Sequence, residues 1–204
     1  MKRPRTDALE LGPSVVKLLL PHRPPLLLVD RVIAYSGAPQ PSVTAERFIS
    51  ASEPVFAGHF PAVAMWPGAY TIEGLAQTFC LAVVISQLVG AAEQRGESAR
   101  AVLDGLENLE RGYRLQPGFR PDDIGALRTQ LRAAPRQIAT LAAVDVKLVA
   151  PVFAGVRLEY CARVTHGFDA LMRCEVDASV GGRTVAKGVL TGATGVAPPD
   201  PPPP

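Results

Sequence analysis

Two ionisable residues of complementary type lie close together in the first half of this 204-residue chain. His59 sits in Gly58-His59-Phe60-Pro61, a turn bounded by glycine and proline, and loops of this kind carry a disproportionate share of catalytic residues. Glu73 follows 14 residues later, about one turn into an otherwise apolar segment. A carboxylate is costly to bury without partners, so Glu73 is paired, surface-facing or functional; near a helix start it also complements the helix dipole. Between the two, Pro67-Gly68 opens that segment. The first N–H groups of a helix have no intrahelical partner and can hold negative charge developing on an oxygen. A base, an acid and an oxyanion donor are the equipment for removing a proton beside a carbonyl and protonating a leaving group.

Those groups need a rigid support, and the sequence around them describes one. Residues 69–89 are apolar on all sides rather than along one stripe, as expected of a buried helix. Upstream, Pro13 opens a short helix to about residue 20, ended by Pro21, Pro24 and Pro25. Residues 26–33 and 43–49 read as strands, and 54–68 as irregular. From residue 137 the pattern is β: residues 138–149, then alternation over 156–165, a turn at 166–169, alternation over 170–179, a Gly181-Gly182 hairpin and a last strand over 184–192. This predicts an α+β domain, an antiparallel sheet wrapped around one long central apolar helix. Residues 1–12 are expected to be a flexible leader, 13–195 a single domain and the proline tail 196–204 disordered. Residues 91–136 stand apart. They hold 15 of the 40 charged residues, and helices over 98–113 and 121–134 are expected there as a solvated pair.

Composition narrows the functional classes. Hydrophobic residues at 48% and charged ones at 20% exclude a disordered chain. A net charge of +2 gives no reason to invoke nucleic acid or an anionic membrane. Cys80, Cys161 and Cys174 form no CxxC pair, which argues against a disulfide framework or zinc ribbon. Residues 15–20 are too short for a signal peptide, and 69–89 are interrupted by Glu73, Gln77, Ser86 and Gln87. The expectation is a cytoplasmic protein. His22, in the proline-rich turn, is read as structural, and His166 as solvated in its hairpin.

Three segments carry a family resemblance. Residues 20–31, LPHRPPLLLVDR, together with Gly58-His59-Phe60-Pro61, Trp66-Pro67-Gly68 and Glu73-Gly74-Leu75-Ala76-Gln77, resemble the FabZ-type (3R)-hydroxyacyl-[acyl carrier protein] dehydratases, with the same His-to-Glu spacing. Residues 147–155 resemble a later strand and turn of that family. The resemblance implies a hotdog fold and the conversion of 3-hydroxyacyl thioesters to trans-2-enoyl thioesters in fatty acid or polyketide-type biosynthesis. It implies His59 as base and Glu73 as acid from opposite subunits of a homodimer, itself a possible unit of a trimer of dimers. The Gly68 N–H would polarise the thioester carbonyl and Gln77 would hold the carboxyl group. Phe60 and Pro67 support the site, and Trp66 and Tyr70 would line the substrate tunnel. No metal or cofactor is implied beyond the phosphopantetheine arm of acyl carrier protein. The chain departs from the family at Ala62-Val63-Ala64, where Gly, a charged residue and Pro are usual, at Gly74 in place of Ala, and in the length of 91–136, for which two readings stand side by side: a lid or subunit contact near the acyl channel, and a decorative insertion on the surface. Two other readings stay open: a hotdog thioesterase with Glu73 activating water, and a non-catalytic acyl-thioester binding protein.

Overall fold

A computed structural model describes residues 7–120, 138–168 and 171–196. The first elements are β1 (Asp7–Leu11), α1 (Pro13–Leu19), β2 (Arg31–Ser36) and β3 (Ser42–Ile49). A 3-10 turn at Pro54–Ala57 leads to β4 (Met65–Trp66), then α2 (Gly68–Glu93) and α3 (Ala99–Leu115). The C-terminal strands are β5 (Ile138–Leu148), β6 (Val152–Phe153), β7 (Val156–Phe168), β8 (Leu171–Val180) and β9 (Arg183–Val196). Seven strands form one sheet in the order β1-β2-β3-β7-β8-β9-β5, and β4 and β6 form a separate two-stranded ribbon. Every pairing is antiparallel.

Alternation builds the sheet. In β7, Leu158, Tyr160 and Ala162 are buried, and in β8 Cys174, Val176 and Ala178 are; a period of two puts each set on the face that meets α2. Val180 pairs with Arg183 across Gly181 and Gly182, both at positive φ, the two-residue turn that suits a twisted hairpin. α2 buries Leu75, Phe79, Leu81, Ala82, Ile85 and Leu88, the larger side chains each contributing about 1.5–3 kcal/mol on removal from water. By length and composition α2 could cross a membrane. Its packing against β3, β7 and β8 makes it the core helix of this sheet.

The chain departs from the expectations in four places. Residues 26–30 are not strand. The backbone groups of that segment bond a side chain instead: the Leu28 N–H donates to Gln77 Oε1 (2.9 Å) and the Leu26 carbonyl accepts from Gln77 Nε2 (2.6 Å). The leader contains β1, which pairs with β2. The turn at 166–169 starts later, because His166, Gly167 and Phe168 remain paired with Arg173, Met172 and Leu171. Finally, α3 is not solvated. Val102, Leu103, Leu106 and Leu109 are buried, and the helix packs on α1, α2 and β1. Glu107 Oε1 accepts from the Glu10 N–H (3.0 Å) and Glu110 Oε2 from the Val15 N–H (2.9 Å), so α3 satisfies backbone donors of the N-terminal elements. The second helix expected in 91–136 and the proline tail beyond 196 lie outside the described residues.

Candidate active site

His59 enters from the loop before β4. Its backbone N–H and that of Gly58 both donate to the Val55 carbonyl (2.9 and 3.1 Å), closing the 3-10 turn. Phe60 and Val63 then bond each other reciprocally, N–H to carbonyl at 2.9 Å in both directions. The Ala62-Val63-Ala64 departure thus lies in a closed turn. The imidazole Nδ1 is 3.0 Å from the Met65 carbonyl. A carbonyl only accepts, so Nδ1 carries the proton and Nε2 presents its lone pair, the form a general base requires. Phe60, half exposed, stacks on the imidazole with ring centroids 4.2 Å apart.

Pro67 caps α2 and its carbonyl accepts from the Tyr70 and Thr71 N–H groups (3.0 and 3.2 Å). Gly68 is the first helical residue, so its N–H has no intrahelical acceptor. It lines, with His59, Trp66, Thr71, Leu148 and Pro151, a cavity of about 280 Å³. The backbone approaches closely there: a Cβ on Gly68 would stand 2.3 Å from Leu148 Cδ1. Trp66 is buried and makes edge contacts with Phe56 (6.3 Å) and Tyr70 (5.3 Å). Tyr70 packs on Trp66 and is not among the cavity-lining residues.

Glu73 is on the other side of the helix. Thr71, which lines the cavity, precedes it by two positions, and two residues turn an α-helix by about 200°. Glu73 Oε1 accepts from Gln77 Nε2 (2.8 Å), one turn on, and Gln77 is itself held by Leu26 and Leu28. His22 Nε2 stands 3.4 Å from the same Oε1. The Glu73 side chain is 36% exposed, so this chain alone does not enclose the carboxyl group. The structure therefore brings together His59, Gly68 and Trp66, and separately Glu73, Gln77 and His22.

Sequence reading missed two contributors. Its place in a proline-rich turn marks His22 as structural, yet it faces Glu73. Arg47, on β3, donates to Asp30 Oδ1 (2.6 Å) and to Glu53 Oε1, and its guanidinium lies 5.9 Å from the Trp66 ring centroid. It thereby ties the start of the His59 loop to β2 and β4, and no local pattern announces this. The Gly74 departure has a structural cause: a Cβ there would stand 2.4 Å from Tyr160 Cζ and Oη. Tyr160 is fully buried and burial pushes its hydroxyl pKa well above the usual phenol range. Among the described residues no cluster of three His, Cys, Asp or Glu side chains could hold a metal.

A sheet wrapped around one buried helix is the hotdog fold. The dehydratase heterocomplex ApeI:P from Xenorhabdus doucetiae has this architecture, with a TM-score of 0.52 and 17% identity over 88% of this chain and 90% of that one. A FabA-like domain model matches residues 20–110. The chain is 36% identical over 135 residues to the 3-hydroxyacyl-[acyl-carrier-protein] dehydratase FabZ of Polynucleobacter necessarius subsp. necessarius, covering 65% of this chain and 82% of that protein. It is 40% identical over 103 residues to the FabZ of Pseudothermotoga lettingae, covering 50% of this chain and 65% of that protein. The chain belongs to the FabZ family of 3-hydroxyacyl-[acyl-carrier-protein] dehydratases.

Proposed function

We propose that this protein dehydrates (3R)-3-hydroxyacyl thioesters carried on acyl carrier protein, with His59 as base and Glu73 of the partner subunit as acid. His59 Nε2 takes the proton from the carbon next to the thioester carbonyl. The Gly68 N–H holds the negative charge that develops on the carbonyl oxygen. Glu73 gives its proton to the 3-hydroxyl as the carbon–oxygen bond breaks, leaving a trans-2-enoyl thioester and water. Electrons move only within the substrate, so the step calls for no redox partner.

The observation that carries this reading is the division of the site. His59 presents a free Nε2 in the cavity that Gly68 and Thr71 line, while Glu73 lies around the helix with about a third of its side chain open. Two copies placed with these half-sites facing would complete each other. The free edge of β5, with Leu141, Val144 and Leu148 about half exposed, is a suitable seam for such a homodimer. A trimer of such dimers is compatible with this reading.

Hydration of crotonyl and longer enoyl thioesters, on carrier protein and on coenzyme A, tests the proposal through loss of enoyl absorbance. His59→Ala and Glu73→Gln, each folded, are expected to lose about 10²-fold or more in kcat. A 1:1 mixture of the two variants is expected to regain part of the activity, because one of the two sites in a mixed dimer holds both native residues. Full activity in either single variant overturns the assignment, and no recovery on mixing subunits that do exchange overturns the shared site.

A further inference from the structure

We propose that His22 is a positioning residue for Glu73: with Gln77 it commits Oε1 of the carboxyl group to accepting, so that Oε2 carries the proton delivered to the substrate. This rests on the reading of Glu73 as the acid. Gln77 Nε2 donates to Oε1 at 2.8 Å and His22 Nε2 approaches that same oxygen at 3.4 Å. Among the described residues no donor bonds Oε2. A carboxylic acid has one carbonyl-type oxygen and one hydroxyl oxygen. The Gln77 donor on Oε1, with His22 Nε2 facing the same oxygen, selects it as the carbonyl type. Both groups also face the carboxylate that is left once the proton has gone. The His22 contact is long for a hydrogen bond, as catalytic contacts often are before substrate tightens them.

The other nitrogen of His22 fixes its tautomer. Nδ1 is buried without a partner. Hydrogen on Nε2 leaves Nδ1 only an unpaired acceptor, whereas hydrogen on Nδ1 would leave a buried, unpartnered donor and take the donor away from Oε1. Two further groups near the pair are charged or titratable. Arg23 Nη1 donates to the Leu20 and His22 carbonyls (3.0 and 2.7 Å) and so braces the turn that carries His22. Cys80, two turns along α2 from Glu73, has its thiol pushed up to about 11 by burial and by the Glu73 charge. Neither supplies a donor to Oε1.

The test compares His22→Leu, which deletes the donor, with His22→Gln, which keeps an N–H donor that does not titrate. Both are assayed in enoyl-thioester hydration and its reverse, beside wild type and Glu73→Gln. His22→Leu is expected to lower kcat about tenfold or more, with KM changed less than about twofold. His22→Gln is expected to recover most of that loss. Wild-type kcat in His22→Leu overturns the proposal, as does a His22→Gln enzyme no faster than His22→Leu. If His22→Leu does not fold, His22→Ala takes its place as the variant without a donor, and the same comparison with His22→Gln decides. Retained activity in Glu73→Gln would instead remove the reading of the acid itself; lost activity there, with wild-type kcat in His22→Leu, removes only the role of His22.

Discussion

Replacing Gly74 by Ala restores the residue usual at this position in the resembling family, and it is expected to destabilise this protein. The added Cβ would stand 2.4 Å from Tyr160 Cζ, 2.4 Å from Oη and 2.8 Å from Cε2. Tyr160 has no exposed surface and lies in β7, paired on both sides, so its ring cannot swing into solvent. Forcing a methyl group into a well-packed core costs about 1–3 kcal/mol. Two ring carbons and the hydroxyl oxygen inside contact distance place this case at the upper end, about 3 kcal/mol. Alanine regains about 1 kcal/mol over glycine in a helix interior. The net loss is about 2 kcal/mol, and at about 2–4 °C per kcal/mol for a chain of this size the melting temperature falls by about 4–8 °C. The deciding assay is a double-mutant cycle followed by thermal or urea unfolding. With Tyr160→Leu the obstacle is gone, and Gly74→Ala becomes stabilising by about 1 kcal/mol, a coupling of about 3 kcal/mol. An equal effect of Gly74→Ala in both backgrounds, or a raised melting temperature in the wild-type background, would refute the reasoning.

Three further outcomes follow from the packing. Gln77→Leu leaves the Leu28 N–H and the Leu26 carbonyl without their side-chain partner and frees Glu73; a loss of about 3 kcal/mol in urea unfolding is expected, with kcat lowered at least tenfold. Glu110→Ala removes the acceptor of the Val15 N–H and opens a space against Gly12; a loss of about 2 kcal/mol is expected, with enoyl hydration by the remaining folded protein unchanged. The Cys80 thiol, pushed from 9.0 to about 11, is expected to react slowly with iodoacetamide at pH 8 and to gain about tenfold per pH unit until about 11. The sign for stability follows: below pH 9 both folded and unfolded thiols keep their protons and nothing changes. Between about 9 and 11 the unfolded chain loses its proton first, so this group lowers stability as pH rises. Cys80→Ala is expected to flatten that part of the stability curve.

What was legible in the sequence was periodic or local. The twofold alternation of Leu158, Tyr160 and Ala162 gave β7 and its buried face, and the unbroken apolar character of residues 69–89 gave a core helix. Signals that depend on long-range partners were not legible. Residues 26–30 have strand composition, yet their backbone groups bond Gln77, about fifty positions away. The charge balance of α3 suggested solvent, while Glu107 and Glu110 turn inward to donors on β1 and α1. His22 and Glu73 are 51 positions apart, and only the folding of the proline-rich turn onto α2 makes them neighbours.

The angular arithmetic of α2 is the deepest of these links between sequence and function. Gly68 and Thr71 are three positions apart and share the cavity that His59 enters. Glu73 is two beyond Thr71, so it must face away from that cavity in any regular helix. A carboxylate at 71 or 72, towards the cavity, would stand six or five positions from Gln77, beyond the spacings of three and four at which helical side chains meet; the spacing from Glu73 is four. Position 74, three from both Thr71 and Gln77, has no room for a side chain, since a Cβ there would stand 2.4 Å from Tyr160 Cζ and Oη, so a carboxylate on the cavity side of α2 loses the Gln77 brace. On the proposed reading the shared site of a dimer is a consequence of helix geometry, and it also explains why Glu73 is left about one-third exposed in one copy. A Glu73→Ala/Thr71→Glu enzyme, with the carboxylate moved into the cavity of its own chain, tests this directly. It is expected to remain inactive in enoyl hydration, because the relocated group has neither Gln77 nor the opposing face of the substrate. Recovery of wild-type turnover in that variant would show that one chain suffices.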